Sequence, residues 1–217
     1  MRTAAAVVVF AIASIAIARA DAPAPKRTAD DALKLLVTGN RAFVVAGGAC
    51  ARQSTSRRTE VAVAQHPIAV VIGCADSRVP PEAIFGQGIG DLFIVRVAGN
   101  VIDDTVLGSV EYAVEHLGVS LVVVLGHERC GAVEAALGTS APHAHVGTIV
   151  SRIRAAIAGA RAQPGDALDN AVRANVAASV AQVRSSKPLL APAVQRGDVK
   201  VVGGRYDLDT GAVEILP

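Results

Sequence analysis

The chain has 217 residues, a length suited to one domain with a full hydrophobic core. Hydrophobic residues reach 52%, aromatics only 3%, and tryptophan is absent, so the core must be built from Val, Ile, Leu and Ala. That composition suits a helix-covered parallel sheet better than a disulfide scaffold, and a formal charge of +2 offers no electrostatic basis for binding nucleic acid.

The first elements in chain order are not part of the fold. "MRT" is positively charged, the 15 residues from Ala4 to Ala18 are apolar or small, and Ala18-Arg19-Ala20 fits a small-x-small cleavage rule. As a helix that run spans about 22 Å, short of a bilayer core of about 30 Å, which favours a cleaved secretory signal over a retained anchor. Residues 1–20 are therefore expected to be removed, leaving 21–217 as a single domain without stable membrane association, in the periplasm or secreted. Losing Arg2 and Arg19 leaves 19 basic against 19 acidic residues, so the net positive charge belongs to the leader.

After the Pro- and Ala-rich stretch 21–28, Thr28 with Asp31 reads as a helix N-cap with its acidic partner. Leu33, Leu36, Val37, Asn40 and Phe43 share one side of the helix that follows, and Gly39 weakens it. "AGGACARQSTSRR" reads as a loop, and its basic cluster Arg52 to Arg58 as solvated. Short, non-alternating apolar runs then mark strands at Ile68–Ile72, Leu92–Val97, Leu121–Leu125 and Val199–Val202. Continuous apolar strands imply burial on both faces. Helices of crossover length lie between them. Asp103 and Asp104 cap one carrying Val106, Val110, Ala113, Val114 and Leu117, stopped by Gly118. Val146–Ala158 and Asp166–Arg184 are the next two, the latter with Val172, Val176, Val180 and Val183 in register. "RYDLDTGAVEILP" closes the chain as a hairpin with "DTG" at its turn. The pattern is α/β.

Ligands of open parallel sheets bind beyond the carboxyl ends of the strands. Two runs carry chemistry there. "AVVIG" leads into Cys74-Ala75-Asp76-Ser77-Arg78, and "VVVLG" leads into His127-Glu128-Arg129-Cys130. If these strands are neighbours, Cys74, Asp76, His127 and Cys130 converge, and two thiolates, an imidazole and an oxygen suit tetrahedral zinc. Arg78 is placed to draw the Asp76 carboxylate away, opening one position to a water whose pKa zinc would lower. Two plainer readings stand beside this one: a Cys74–Cys130 disulfide, and a closed structural zinc site with four protein ligands. Cys50 makes the cysteine count odd and falls outside both motifs.

Together "CADSRVPPE" (74–82) and "GHERCGAV" (126–133) resemble the marks of the β-class carbonic anhydrases. The likeness extends to "ALKLLVTGNRAF" (32–43), "GDLFIVRVAGN" (90–100) and "YDLDTGAVEIL" (206–216), nearly the whole mature chain. It implies one zinc ion per subunit on Cys74, His127 and Cys130, with Asp76 and Arg78 as the catalytic dyad. In some members of that class the matching aspartate is instead a fourth zinc ligand in a closed, inactive form. Gln65 resembles a substrate-binding glutamine, Phe93 an apolar pocket residue near the dimer interface, and the Gly131 amide a donor to the bound anion. The fold implied is a four-stranded parallel sheet of order 2-1-3-4 with a fifth, C-terminal strand on the edge and helices on both faces. An N-terminal helical arm, residues 29–46, packs on the partner of a homodimer or dimer of dimers rather than forming part of the core.

Two departures stand out. Val71 occupies the place where members with an allosteric bicarbonate pocket carry tryptophan, so that pocket is not expected. Glu128 stands beside His127 where many relatives have a small residue. His66, His116, His143 and His145 are possible proton shuttles, none singled out by position. The activity implied is reversible hydration of carbon dioxide to bicarbonate and a proton. The alternatives are hydrolysis of carbonyl sulfide or carbon disulfide on the same fold, a zinc-stabilised binding protein without catalysis, and a disulfide-linked structural protein.

Overall fold

A computed structural model describes residues 27–47, 52–140 and 143–216. The leader and Cys50 lie outside the described residues, so the expectations about them are not addressed by it. Among the described residues, no helix is long and apolar enough to cross a membrane.

The elements run α1 (Ala29–Ala46), α2 (Thr55–Val61), β1 (Ala69–Gly73), α3 (Pro81–Ile84), β2 (Leu92–Arg96) and α4 (Asp104–His116). They continue with β3 (Leu121–His127), α5 (Gly131–Leu137), α6 (Val146–Ala156), α7 (Ala167–Ser185), α8 (Leu190–Gln195), β4 (Lys200–Tyr206) and β5 (Val213–Leu216). The sheet order is β2-β1-β3-β4-β5; the first four strands are parallel and β5 closes an antiparallel hairpin on β4. This is the expected α/β topology.

Alternation along β1 and β3 divides the core in two. Val70, Ile72, Val122 and Val124 meet α4, α7 and α8 through Val106, Val110, Val176, Val180 and Leu190. Ala69, Val71, Leu121, Val123 and Leu125 point the other way, towards Ala32 and Leu36 of α1 and Ile84 and Phe85 at α3. Val172, Val176, Val180 and Val183 form the buried ridge of α7 read from the sequence, each burial contributing roughly 1.5–3 kcal/mol. β2 departs from the expectation of burial on both faces: Leu92 to Val95 are only half-buried, because β2 is the edge strand of a single chain.

The caps follow the sequence. Thr28 Oγ1 accepts from the Asp31 amide at 3.1 Å, and Asp103 Oδ1 accepts from the Val106 amide at 2.9 Å. Gly118, at φ 69°, ends the α4 region while the Val119 amide reaches back to the Ala113 carbonyl. The arm is also part of the core. Asn40, buried in α1, donates to the carbonyls of Ile84 and Gly211 and accepts from the Val213 amide, while Leu35, Val44 and Val45 remain exposed on its other side. Gly39 is required there, since a β-carbon at this position would overlap the Phe85 carbonyl oxygen. Gly39→Ala should therefore cost about 3 kcal/mol, read as a lower denaturant midpoint; an unchanged midpoint would show that α1 does not seat on this loop.

The basic cluster is corrected. Thr55–Val61 form a helix capped by Ser54, and Arg57 is not solvated: it bonds Asp91 at 2.8 Å and the Ile89 carbonyl at 2.9 Å. An ion network also ties α7 to the hairpin. Arg173 bridges Glu214 at 2.7 Å and Asp169 at 2.8 Å, and Arg205 joins Asp169 and Asp207. Bonds from the Thr210 amide and hydroxyl and from Arg205 hold Asp207 at about 2, and Arg173 lowers Glu214. Both folded values lie below the unfolded ones, so this stability is complete above the ordinary carboxylate range and is lost as pH falls through the folded values. Denaturant midpoints should decline from pH 5 towards 3, and Glu214→Gln should lose part of that slope; identical slopes would exclude the network as the cause.

Candidate metal centre

β1 and β3 are parallel neighbours with Gly73 opposite Leu125, so their carboxyl ends open side by side. Cys74 follows β1 directly, and His127 is the last residue of β3. Cys130 follows as the residue before α5. Their Sγ and imidazole nitrogen atoms all lie within 4.8 Å of one another, and all three residues are buried. The thiols are free, which sets aside the disulfide reading. Cys74 and Cys130 belong to one buried apolar cluster with Val101, Val133, Val150, Ile153 and Val172, so charges there are poorly screened.

The donor set fits zinc. His127 Nδ1 lies 2.8 Å from the Glu128 carbonyl oxygen, so the N–H sits on Nδ1 and the Nε2 lone pair is left facing inward. Nε2 is fully buried and has no hydrogen-bond partner, an arrangement that a cation would satisfy. A hydrogen bond from Cys130 pulls the Cys74 thiol well below its ordinary value, helped by the amides of Gly99 (3.2 Å) and Asp76 (3.4 Å) against the opposing effect of burial. The same contact and burial push Cys130 up. Two sulfurs this close to each other and to Nε2 could both serve a divalent ion as thiolates, the ion displacing their protons.

Asp76 stands at the rim. Arg78 Nε and its amide both donate to Oδ1 at 2.9 Å, and Nη2 donates to Oδ2 at 2.8 Å. This fork holds the carboxyl well below the usual carboxylate range and fixes both its oxygens on Arg78. Oδ2 nevertheless remains 3.8 Å from His127 Nε2.

Some supporting residues were not anticipated. Arg96, the last residue of β2, donates to the carbonyls of Cys74 and Asp76 and laces the loop from below. Its only signal was a charge closing an apolar run. Asn175 of α7, buried, donates to the Gly99 carbonyl at 2.8 Å and so steadies the amide that reaches Cys74. Gly99 itself has φ 67°, which permits that turn.

The single chain brings together Cys74, Asp76, Arg78, His127 and Cys130, with Gly131 next in sequence at the start of α5. Gln65 lies exposed in the connection between α2 and β1, and among the described residues no hydrogen bond joins it to the cluster. Phe93 sits half-buried on β2, its ring 6.2 Å from that of Tyr112. His66, His143 and His145 are exposed.

A family profile described as carbonic anhydrase matches residues 69–213. Carbonic anhydrase 2 of Mycobacterium tuberculosis is 41% identical over 184 residues, covering 83% of this chain and 89% of that protein. Among solved structures, the Coccomyxa β-carbonic anhydrase in complex with acetazolamide aligns with a TM-score of 0.70 at 33% identity, over 85% of this chain and 86% of its own. One of two tetrameric β-carbonic anhydrases of the ascomycete Sordaria macrospora gives a TM-score of 0.70 at 25% identity, over 86% and 97%. These likenesses do not favour the carbonyl sulfide and carbon disulfide reading. Sheet order, strand-end ligands and relatives all lead to one assignment: the chain belongs to the carbonic anhydrase family, in its β class.

Proposed function

We propose that this chain binds one zinc ion through Cys74, His127 and Cys130 and catalyses the reversible hydration of carbon dioxide to bicarbonate and a proton. The observation that carries the reading is an inward-facing, unpartnered His127 Nε2 converging with two sulfurs beside a carboxylate held by arginine. Zinc bound there supplies the Lewis acidity that brings the pKa of a water from about 15.7 towards 7.

The chain's own residues do the rest. Cys74 and Cys130, as thiolates, neutralise the cation, and the apolar cluster they belong to keeps bulk water out. Asp76 stays ionised because Arg78 holds it, so Oδ2 is purely an acceptor. It takes the O–H of the attacking oxygen and turns that oxygen's lone pair towards the carbon. Were Arg78 to release it, Asp76 would be available as a fourth donor to the metal. The Gly131 amide donates to the bicarbonate formed, and the proton passes to buffer.

Gln65 and Phe93 complete this reading as substrate-binding residues across a dimer interface, Phe93 lying on β2, the edge strand of the single chain. Dimers pair as dimers of dimers, in keeping with the tetrameric relative. The mature domain spans 21–217, with 29–46 as the arm, and residues 1–20 direct it to the periplasm or outside the cell.

Stopped-flow assays on zinc-analysed protein test the reading, with carbon dioxide, carbonyl sulfide and carbon disulfide compared on one sample. Rapid hydration of carbon dioxide is expected. Zinc-replete protein inert towards carbon dioxide would contradict it and favour a non-catalytic binding protein.

A further inference from the structure

The two residues between the ligands of the His127–Cys130 turn are Glu128 and Arg129, both charged and neither pointing at the metal position. Arg129 has φ 50°, a left-handed conformation that a β-carbon disfavours. Its guanidinium forks onto Asp209, Nη1 to Oδ2 at 2.9 Å and Nη2 to Oδ1 at 2.7 Å, across 80 positions of sequence. Glu128 is held by the same hairpin. Its amide donates to the Tyr206 carbonyl at 2.9 Å, and its Oε2 accepts from the Leu208 amide at 3.2 Å. The segment carrying Asp209 is closed in turn by Asp207, whose Oδ1 accepts from the amides of Asp209 and Thr210 and from the Thr210 hydroxyl.

Glu128, Asp207 and Asp209 bring carboxylate oxygens within 4.8 Å of one another, which by distance alone resembles a second cation site. Every one of them is already engaged by an amide, a hydroxyl or the guanidinium of Arg129 or Arg205. The cluster is therefore a joint between two strand ends. On its near side lies the Glu128 carbonyl, which takes the His127 Nδ1 proton and so aims Nε2.

We propose that the β4–β5 turn is a clamp on the metal-ligand turn, with Arg129 and Asp209 as positioning residues that hold His127 and Cys130 in register. The fork compensates the left-handed backbone at Arg129; without it the turn relaxes and the two donors spread. The inference rests on the zinc reading above.

Rates of zinc release from zinc-loaded, full-length protein to a chromophoric chelator test the clamp, alongside the absorption spectrum of the cobalt(II)-substituted forms and thermal unfolding of each. Arg129→Ala and Asp209→Ala should release zinc about tenfold faster, with altered cobalt spectra. Asp209→Asn, which keeps the side-chain shape, should do the same if Asp209→Ala folds poorly. Arg129→Gly should recover most of the wild-type behaviour, because glycine adopts positive φ freely, and adding Asp209→Ala to it should change little. Wild-type release rates and spectra in Arg129→Ala and Asp209→Asn would overturn the clamp alone. Wild-type protein that takes up no zinc would overturn the zinc reading, and the clamp with it.

Discussion

Asp76→Asn should keep its metal and lose about a hundredfold or more in carbon dioxide turnover. The variant keeps the volume of the side chain and the three proposed zinc donors, so zinc content should equal that of the wild type. What changes is polarity. Asn can accept through one oxygen only, and its NH₂ would face either Arg78 or the attacking oxygen as a donor. Wild-type Asp76 is acceptor-only because Arg78 keeps it ionised. Lowering the pH to 5 should therefore not mimic the variant through Asp76, whose folded value lies far below that. Wild-type turnover in a zinc-replete Asn variant would remove Asp76 from the mechanism. Arg78→Ala makes the complementary case: turnover should fall as far, with the freed carboxylate becoming a fourth protein ligand.

Cys74→Ala should abolish zinc retention and all turnover while leaving the fold in place. Cys74 is one of the three proposed donors, and its sulfur accepts the amides of Gly99 and Asp76. Removing it forfeits one metal bond, a loss of several kcal/mol and on the order of a thousandfold or more in zinc affinity. The backbone should tolerate the change, since Ala fits the apolar cluster of Val101, Val133 and Ile153. Metal analysis and far-ultraviolet circular dichroism on the same sample check both halves. A Cys74→Ala protein with a full zinc ion and normal turnover would show that the ligand set lies elsewhere.

The parts of this site legible in the sequence are those fixed by local pattern. Cys74 and His127 directly continue apolar strands, so the strand-end rule places them from sequence, and the fork from Arg78 to Asp76 spans only two residues. The hairpin was legible for the same reason. Contacts that depend on distant partners were not. Arg57 looked solvated because Asp91 lies 34 positions on, and the role of Asn40 depends on Gly211, 171 positions on. Gly39 read as a weakness of α1 until the Phe85 carbonyl was seen beneath it. Glu128 and Arg129 were opaque because their partners sit 80 residues away on the last turn. Gln65 is exposed and Phe93 packs half-buried against the core, neither beside the cluster in one chain, so a single chain's geometry does not assign their roles.

Zinc X-ray absorption on the purified, active protein, with metal stoichiometry from the same sample, tests the central claim most directly. One zinc per chain is expected, with two sulfurs at about 2.3 Å and two nitrogen or oxygen donors at about 2.0 Å. Full carbon dioxide hydration by protein that lacks zinc, or whose zinc has no sulfur neighbour, would contradict it.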